Sequence, residues 1–199
     1  MRAREYLSHS QKICWKKSPK EYMLRYVWEK KQFVTKEMKF GTLVAELLEH
    51  GKLSGDLLLD LVISKIPHFE VNDQEHRTDL KIGKNIVPLL AKMDTRKKNF
   101  KAFKEYKTGK IPWTQKKVDE DPQCTFYATY CYIITGEIPK DIELVWIPTE
   151  EDENGNIKVT GDDPVIFKTT RSMEQIVMEK ADMLKVWREI GEACAKELL

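Results

Sequence analysis

Asp94, Glu105 and Lys107 are residues whose types and spacing could do chemistry. If Phe100–Thr108 is a strand, side chains alternate and Glu105 and Lys107 share one face. Asp94 stands at the end of the preceding expected strand, where a hairpin can bring its carboxylate near Glu105. Two carboxylates and the intervening Tyr106 carbonyl form an oxygen site that suits Mg²⁺, a hard cation that keeps several waters. Lys107 alongside can position or deprotonate the activated water. Such a group suits phosphodiester hydrolysis, in which a metal generates the nucleophile and neutralises phosphate charge. By itself the spacing does not separate this reading from a plain solvated strand face, because charged residues make up 33% of the chain.

The elements that would position these groups can be traced from the periodicity. Ser8–Trp28 reads as helical, with serine caps at the start and a cap-plus-proline pair at Ser18-Pro19. Phe40–His50 is an amphipathic helix closed by Gly51, and Ser54 or Asp56 caps another through Leu57–Ile63. The period then changes to two. His68–Val71, Thr78–Ile82, Asn85–Asp94 and Phe100–Thr108 are expected as successive strands of an antiparallel meander, with Lys97-Lys98-Asn99 as the last turn. Thr114–Thr135 is helical again, with Lys116–Asp121 an irregular lead-in to Pro122. Asp141–Pro148 reads as a strand, and Asn154-Gly155 as a hairpin signal between two more, Ile157–Thr160 and Val165–Thr169. Ser172 opens a terminal helix with a capping partner at Gln175. The order predicts an α/β fold, a mixed central β-sheet flanked by helices.

Composition bounds the classes of function. A length of 199 residues and 41% hydrophobic residues fit one domain with a packed core. Its expected parts are a helical portion over about 7–65, a core over about 66–170 and a helix over about 172–199. Lys+Arg 34 against Asp+Glu 32 excludes a polycationic tail protein, though not a basic groove on one face. Ten Lys and Arg residues lie between Lys92 and Lys117 against two acids, a local excess that a phosphate-tracking groove needs and a solvated face also produces. No apolar run approaches the roughly 18 residues of a membrane span, so a cytoplasmic protein with no membrane partner is expected. The four cysteines form no CxxC pair, the four histidines no HxH or HExxH spacing, and no P-loop or GxGxxG is present.

Gln123 and Tyr127 lie one helical turn apart and share a face, either towards the Glu105 site or as a cap and a core residue. Trp113, just after Gly109-Lys110, either stacks on an unpaired base or closes the core. Taken in order, these pieces resemble the RecB-like, phage-type exonuclease branch of the PD-(D/E)xK nuclease superfamily. Leu7-Ser-His-Ser-Gln and Trp15–Tyr22 resemble its N-terminal helix pair, and Phe40-Gly41-Thr-Leu-Val-Ala45-Glu46 its first motif. Asp94 and Glu105-Tyr106-Lys107 resemble the metal-binding aspartate and the ExK signature, and Gln123-Cys-Thr-Phe-Tyr127 the QxxxY motif. The resemblance spans roughly Leu7 to Pro148.

The resemblance implies a restriction-endonuclease-like core and a Mg²⁺- or Mn²⁺-dependent deoxyribonuclease. Asp94, Glu105 and the Tyr106 carbonyl would be ligands, Lys107 the water-orienting group, and Gln123 and Tyr127 supports for the site or the DNA strand. Lys110 and Trp113 are further DNA-contact candidates. Ala45 stands where many relatives place a metal-binding histidine, which leaves Glu46 as the candidate extra ligand or the site with fewer ligands. Ser18 stands where cluster-bearing relatives have a cysteine, so no iron–sulfur cluster is expected. Expected partners are DNA, a separate helicase or recombination protein, and other copies of the chain. The alternative is a catalytically inactive subunit that keeps the nuclease fold and binds nucleic acid or a protein.

Overall fold

The structure is a computed structural model that describes residues 5–30, 33–72 and 74–197. Leu7 pairs in parallel with Leu89, and helix α1 (His9–Lys17) then starts at Ser8, whose hydroxyl accepts from the Gln11 N–H. Ser18 caps α2 (Pro19–Tyr22), whose last turn widens into a π-helical turn over Met23–Val27. Helix α3 (Lys36–His50) is capped by Thr35 and ends at Gly51. The φ of +61° at Gly51 is a left-handed conformation that glycine adopts without a Cβ penalty. Asp56, rather than Ser54, caps α4 (Leu57–Ser64) by accepting from Leu58 and Leu59.

The strands depart from a continuous meander. Strand β1 is confined to Val71–Asn72. Strands β2 (Glu75–Ile82) and β3 (Asn85–Lys92) form a separate two-stranded antiparallel sheet. The main sheet holds β4 (Thr95–Arg96), β5 (Ala102–Gly109), β6 (Asp141–Glu151) and β7 (Ile157–Val159) in the order β1-β4-β5-β6-β7. Strand β8 (Val165–Thr169) pairs with the first half of β6, on the edge that β7 continues. Strand β3 does not run on to Asp94. The Asp94 carboxylate accepts the Tyr106 N–H at 2.6 Å, so a side chain takes the bond that a continued ladder would give to the backbone before β4. The β4–β5 ladder accordingly covers only Thr95↔Lys104 and Arg96↔Phe103.

Strand β5 pairs with β6 in parallel, and the connection between them carries α5 (Gln115–Asp119) and α6 (Pro122–Thr135). The expected irregular lead-in is thus a short helix, broken where Asp121 caps α6 and Pro122 takes its first turn. Asn154-Gly155 turns β6 into β7, and so precedes both strands it was expected to join. Helix α7 (Met173–Glu197) begins with a reciprocal cap, Ser172 N–H to Gln175 Oε1 and Gln175 N–H to Ser172 Oγ.

Two apolar clusters hold these layers. One gathers Trp15, Tyr22, Leu89, Phe103, Phe126 and Tyr130 with the inner stripe of α7. The other gathers Val44, Leu47, Leu59 and Val62 against Val145 and Ile147 of β6. Strand β5 contributes Phe103 to the first and packs Tyr106 on the second, so its two faces look into different interiors. Among the described residues no helix is long and apolar enough to cross a membrane.

Candidate active site

Alternation along β5 puts Phe103, Glu105 and Lys107 on the side of α6. Phe103 meets the Tyr127 ring edge-on at 5.9 Å, which fixes the separation of strand and helix. The Asp121–Pro122 start sets Gln123 in the first turn of α6, directly over the two charged residues. Its amide bridges them: Nε2 donates to Glu105 Oε2 at 2.7 Å, and Oε1 accepts from Lys107 Nζ at 2.6 Å. Lys107 Nζ also lies 3.6 Å from Glu105 Oε2. One turn along, the Tyr127 hydroxyl donates to the Lys92 carbonyl at 2.7 Å, tying α6 to the end of β3 two residues before Asp94.

Asp94 reaches the same place from the other side through its bond to the Tyr106 N–H. The N–H and C=O of one strand residue leave on the same side, so the Tyr106 carbonyl faces Asp94 as well. Glu105 is 1% exposed, and its Oε1 is buried with no hydrogen-bond partner. Burial, and then the negative charge of Asp94, push its carboxyl well above the usual carboxylate range. Burial alone would lower the Lys107 ammonium, but Glu105, Asp94 and Asp121 outweigh it and raise the group. Three acids thus surround one cation.

This arrangement fits a hard divalent ion. The donor set is oxygen throughout, one buried carboxylate oxygen lacks a partner, and a further positive charge would relieve the repulsion between Asp94 and Glu105. Among the described residues no three His, Cys, Asp or Glu side chains are placed to hold one metal ion together, so the carbonyl and waters would complete the coordination.

The group opens into a cleft of about 680 Å³ lined by Ser10, Gln123, residues 105–108 and the inner side of α3. From α3 the lining residues include Glu37, Gly41 and Ala45, spaced four apart on one helical face. Glu46 is exposed and does not line the cleft, which corrects its expected place as an extra ligand. It follows Ala45 by one residue, about 100° around the helix and off that face. Glu37 is the acid that α3 presents instead. The signal for it was present, since Gly41 and Ala45 already define the face on which position 37 falls.

Lys110 is not in the cleft either; its Nζ pairs with Glu151 at 2.5 Å. Trp113 joins neither apolar cluster. It lines a separate hollow of about 370 Å³ beside Pro122, with Lys117 Nζ 4.0 Å over its ring. The basic excess around the site does not converge, because Lys107 alone of those ten residues lines the cleft. Lys104 is buried on the opposite face of β5, Arg96 stacks on Phe100, and Lys101 pairs with Glu137.

Neither family models nor curated proteins match the chain. Among solved structures it is similar to a protein of Eubacterium rectale described as a putative exonuclease. That similarity has a TM-score of 0.58 at 12% identity and covers 94% of this chain and 82% of the other. It is also similar to the protein SSO0001, with a TM-score of 0.48 at 12% identity over 94% of this chain and 78% of that one. With the first of these the chain shares its fold, a mixed sheet flanked by helices.

Proposed function

We propose that the protein is a metal-dependent deoxyribonuclease that acts on DNA ends or branched structures rather than at defined sequences. The observation that carries this reading is the Gln123 bridge between Glu105 and Lys107, which leaves the second Glu105 oxygen unpartnered beside Asp94. A nuclease-like fold supports it.

Asp94, Glu105 and the Tyr106 carbonyl would hold Mg²⁺ or Mn²⁺, which supplies charge neutralisation at the phosphate and a more acidic water. The remaining work falls to side chains of this chain. Lys107 is raised, so it stays an ammonium in the cleft and donates hydrogen bonds. It orients the attacking water and offsets phosphate charge, and it does not serve as the base. Gln123 bonds both that ammonium and the Glu105 carboxyl, and Tyr127 ties α6 to the end of β3. Attack of the water oxygen at phosphorus forms the new P–O bond as the bond to the departing sugar oxygen breaks. The attacking water gives up one proton to solvent, and the departing oxygen takes up one and leaves as the hydroxyl, so a phosphate monoester and an alcohol account for the water consumed.

Purified protein incubated with end-labelled linear, circular and branched DNA tests the proposal. Linear or branched substrates should be degraded in Mg²⁺ or Mn²⁺, circles should persist, and EDTA should stop the reaction. Asp94→Ala and Lys107→Ala should each abolish cleavage without loss of folding. A protein that retards DNA in EDTA and leaves it uncut in either metal would instead be a binding subunit with the nuclease fold. The alanine at position 45, where the resemblance expects a ligand, is the feature that favours that second reading.

A further inference from the structure

Helix α7 carries more apolar surface than its own packing uses. Its inner stripe, Ile176, Met183, Val186, Ile190 and Cys194, is buried against the first cluster. One such stripe is enough to seat a helix. A second stripe lies one residue further round, at Val177, Ala181, Leu184, Arg188 and Gly191, with alternating spacings of four and three. Val177 is 58% exposed and Ala181 is exposed, while Leu184 is half-buried against the first cluster and floors the stripe.

This second stripe forms one wall of a groove whose other wall is the β2–β3 hairpin. A hollow of about 570 Å³ takes in Lys81, Ile82, Val177, Ala181 and Leu184. Leu184 and Arg188 also line a second hollow of about 480 Å³, which continues past Ile86 and Trp187 to Gly191. From Val177 to Gly191 the two hollows follow four turns of α7, about 21 Å, with Arg188 reaching across the second to donate to Asn85 Oδ1 at 2.9 Å. A Cβ on Gly191 would meet nothing within 4 Å, so the far end is open.

The rim is cationic. Lys81, Lys84, Lys180, Lys185 and Arg188 border the two hollows against Glu189 and Glu192. Glu189 is already engaged, accepting from the Trp15 indole at 2.9 Å with Lys185 Nζ 3.9 Å away. An apolar floor between cations calls for a partner with apolar anchors flanked by acids. The four-three spacing along a straight wall is the geometry that receives another helix. A second copy of the same surface would bring its own cations against these, which disfavours self-association there.

We propose that the groove between α7 and the β2–β3 hairpin docks an amphipathic helix of a partner protein, one whose apolar stripe is flanked by Asp and Glu. The groove shares no residue with the cleft, so a docked partner leaves Asp94 and Glu105 accessible. The proposal therefore stands or falls separately from nuclease activity.

Fluorescence anisotropy with the full chain tests it. The probes are two labelled helical peptides of about 18 residues, with leucines spaced three and four apart and flanked by Glu in one and by Lys in the other. The Glu peptide should bind about tenfold or more tighter than the Lys peptide, and should weaken as salt rises. Ala181→Glu should weaken its binding by about tenfold or more while leaving the thermal melt and DNA cleavage unchanged. Val177→Asp, a second exposed position, should do the same if Ala181→Glu proves unstable. Equal affinity for the two peptides, no binding of either, or binding indifferent to both substitutions would overturn the proposal. So would a wild-type dimer that Ala181→Glu dissociates in sedimentation, or a single-stranded oligonucleotide that displaces the Glu peptide from the groove.

Discussion

Strand β5 presents a lysine on each of its faces, Lys104 paired with Glu143 of β6 and Lys107 with Glu105 of β5 itself, and the two pairs are built differently. On the face away from α6, Lys104 Nζ lies 2.5 Å from Glu143 Oε2, and Lys168 Nζ lies 3.8 Å from the other Glu143 oxygen. The Phe69 ring covers Lys104 at 4.7 Å. Two cations serve one acid, both carboxylate oxygens have a partner, and the pair fastens β5 to β6. On the α6 face, Lys107 sits 3.6 Å from Glu105, Asp94 and Asp121 add two more acids, and Glu105 Oε1 has no partner. A buried oxygen without a partner costs about 1–3 kcal/mol, or more when charged, so it persists only where something else sustains it. The contrast separates a pair that is complete within the chain from one that the proposed metal ion would complete.

The largest expected effect comes from neutralising one glutamate on each face. Glu105→Gln should lower DNA cleavage by about 10³-fold or more, since it removes a proposed metal ligand. Stability should hold or rise in that variant, because the amide no longer opposes Asp94. Glu143→Gln should do the reverse. It leaves Lys104 buried with a weakened partner and should cost about 3 kcal/mol in urea unfolding, with near-normal cleavage once folded. If the two variants behaved alike in both assays, the distinction between the faces would be broken.

A smaller effect belongs to the bridge. Gln123→Ala should reduce turnover about 10–100-fold with an unchanged fold, because Lys107 and Glu105 lose the group that orients them. Gln123→Glu should not rescue it, since a fourth acid would face Glu105. Single-turnover rates would sharpen the comparison by separating this positioning loss from loss of DNA binding.

The parts of this architecture that were legible in the sequence were the local ones. Ser8, Ser18-Pro19, Asp56 and the Ser172–Gln175 pair act within a turn of their own position, so their caps can be read without the fold. That Glu105 and Lys107 share a face, and Gln123 and Tyr127 another, was also readable from the strand and helix periods, whereas Asp94 joins them through a side-chain bond and not through the expected hairpin. What escaped depends on contacts far apart in sequence. Nothing local marks β5 and β6 as parallel neighbours, or β2–β3 as a separate sheet. The end of β3 is set by a side chain, Asp94, capturing a backbone N–H 12 residues ahead. Glu46 falls off the cleft because it follows Ala45 by one residue, whereas Glu37, Gly41 and Ala45 line it in steps of four along α3.

Acid stability offers a further test, at a histidine beside the cleft. Burial lowers the His9 imidazole from 6.5 to about 4, against an upward pull from Asp121. Its Nε2 is buried without a partner. The unfolded chain therefore binds this proton at a pH where the folded chain does not. The resulting stability is fully present above about 6.5 and is lost as pH falls towards about 4, by about 3 kcal/mol at most. His9→Asn should flatten the urea midpoint across that window relative to wild type. The smallest effect is expected at the rim: Lys110→Ala should change cleavage less than about threefold, since Lys110 spends its charge on Glu151.

The most direct measurement is calorimetric titration of Mn²⁺ into the free protein and its variants. Wild type and Glu143→Gln should bind the ion in the low millimolar range or tighter, about as expected for a site with two carboxylates. Asp94→Asn and Glu105→Gln should lose that binding while remaining folded. Undiminished Mn²⁺ binding in both of these variants would contradict the assignment of the α6 face of β5 as a metal centre.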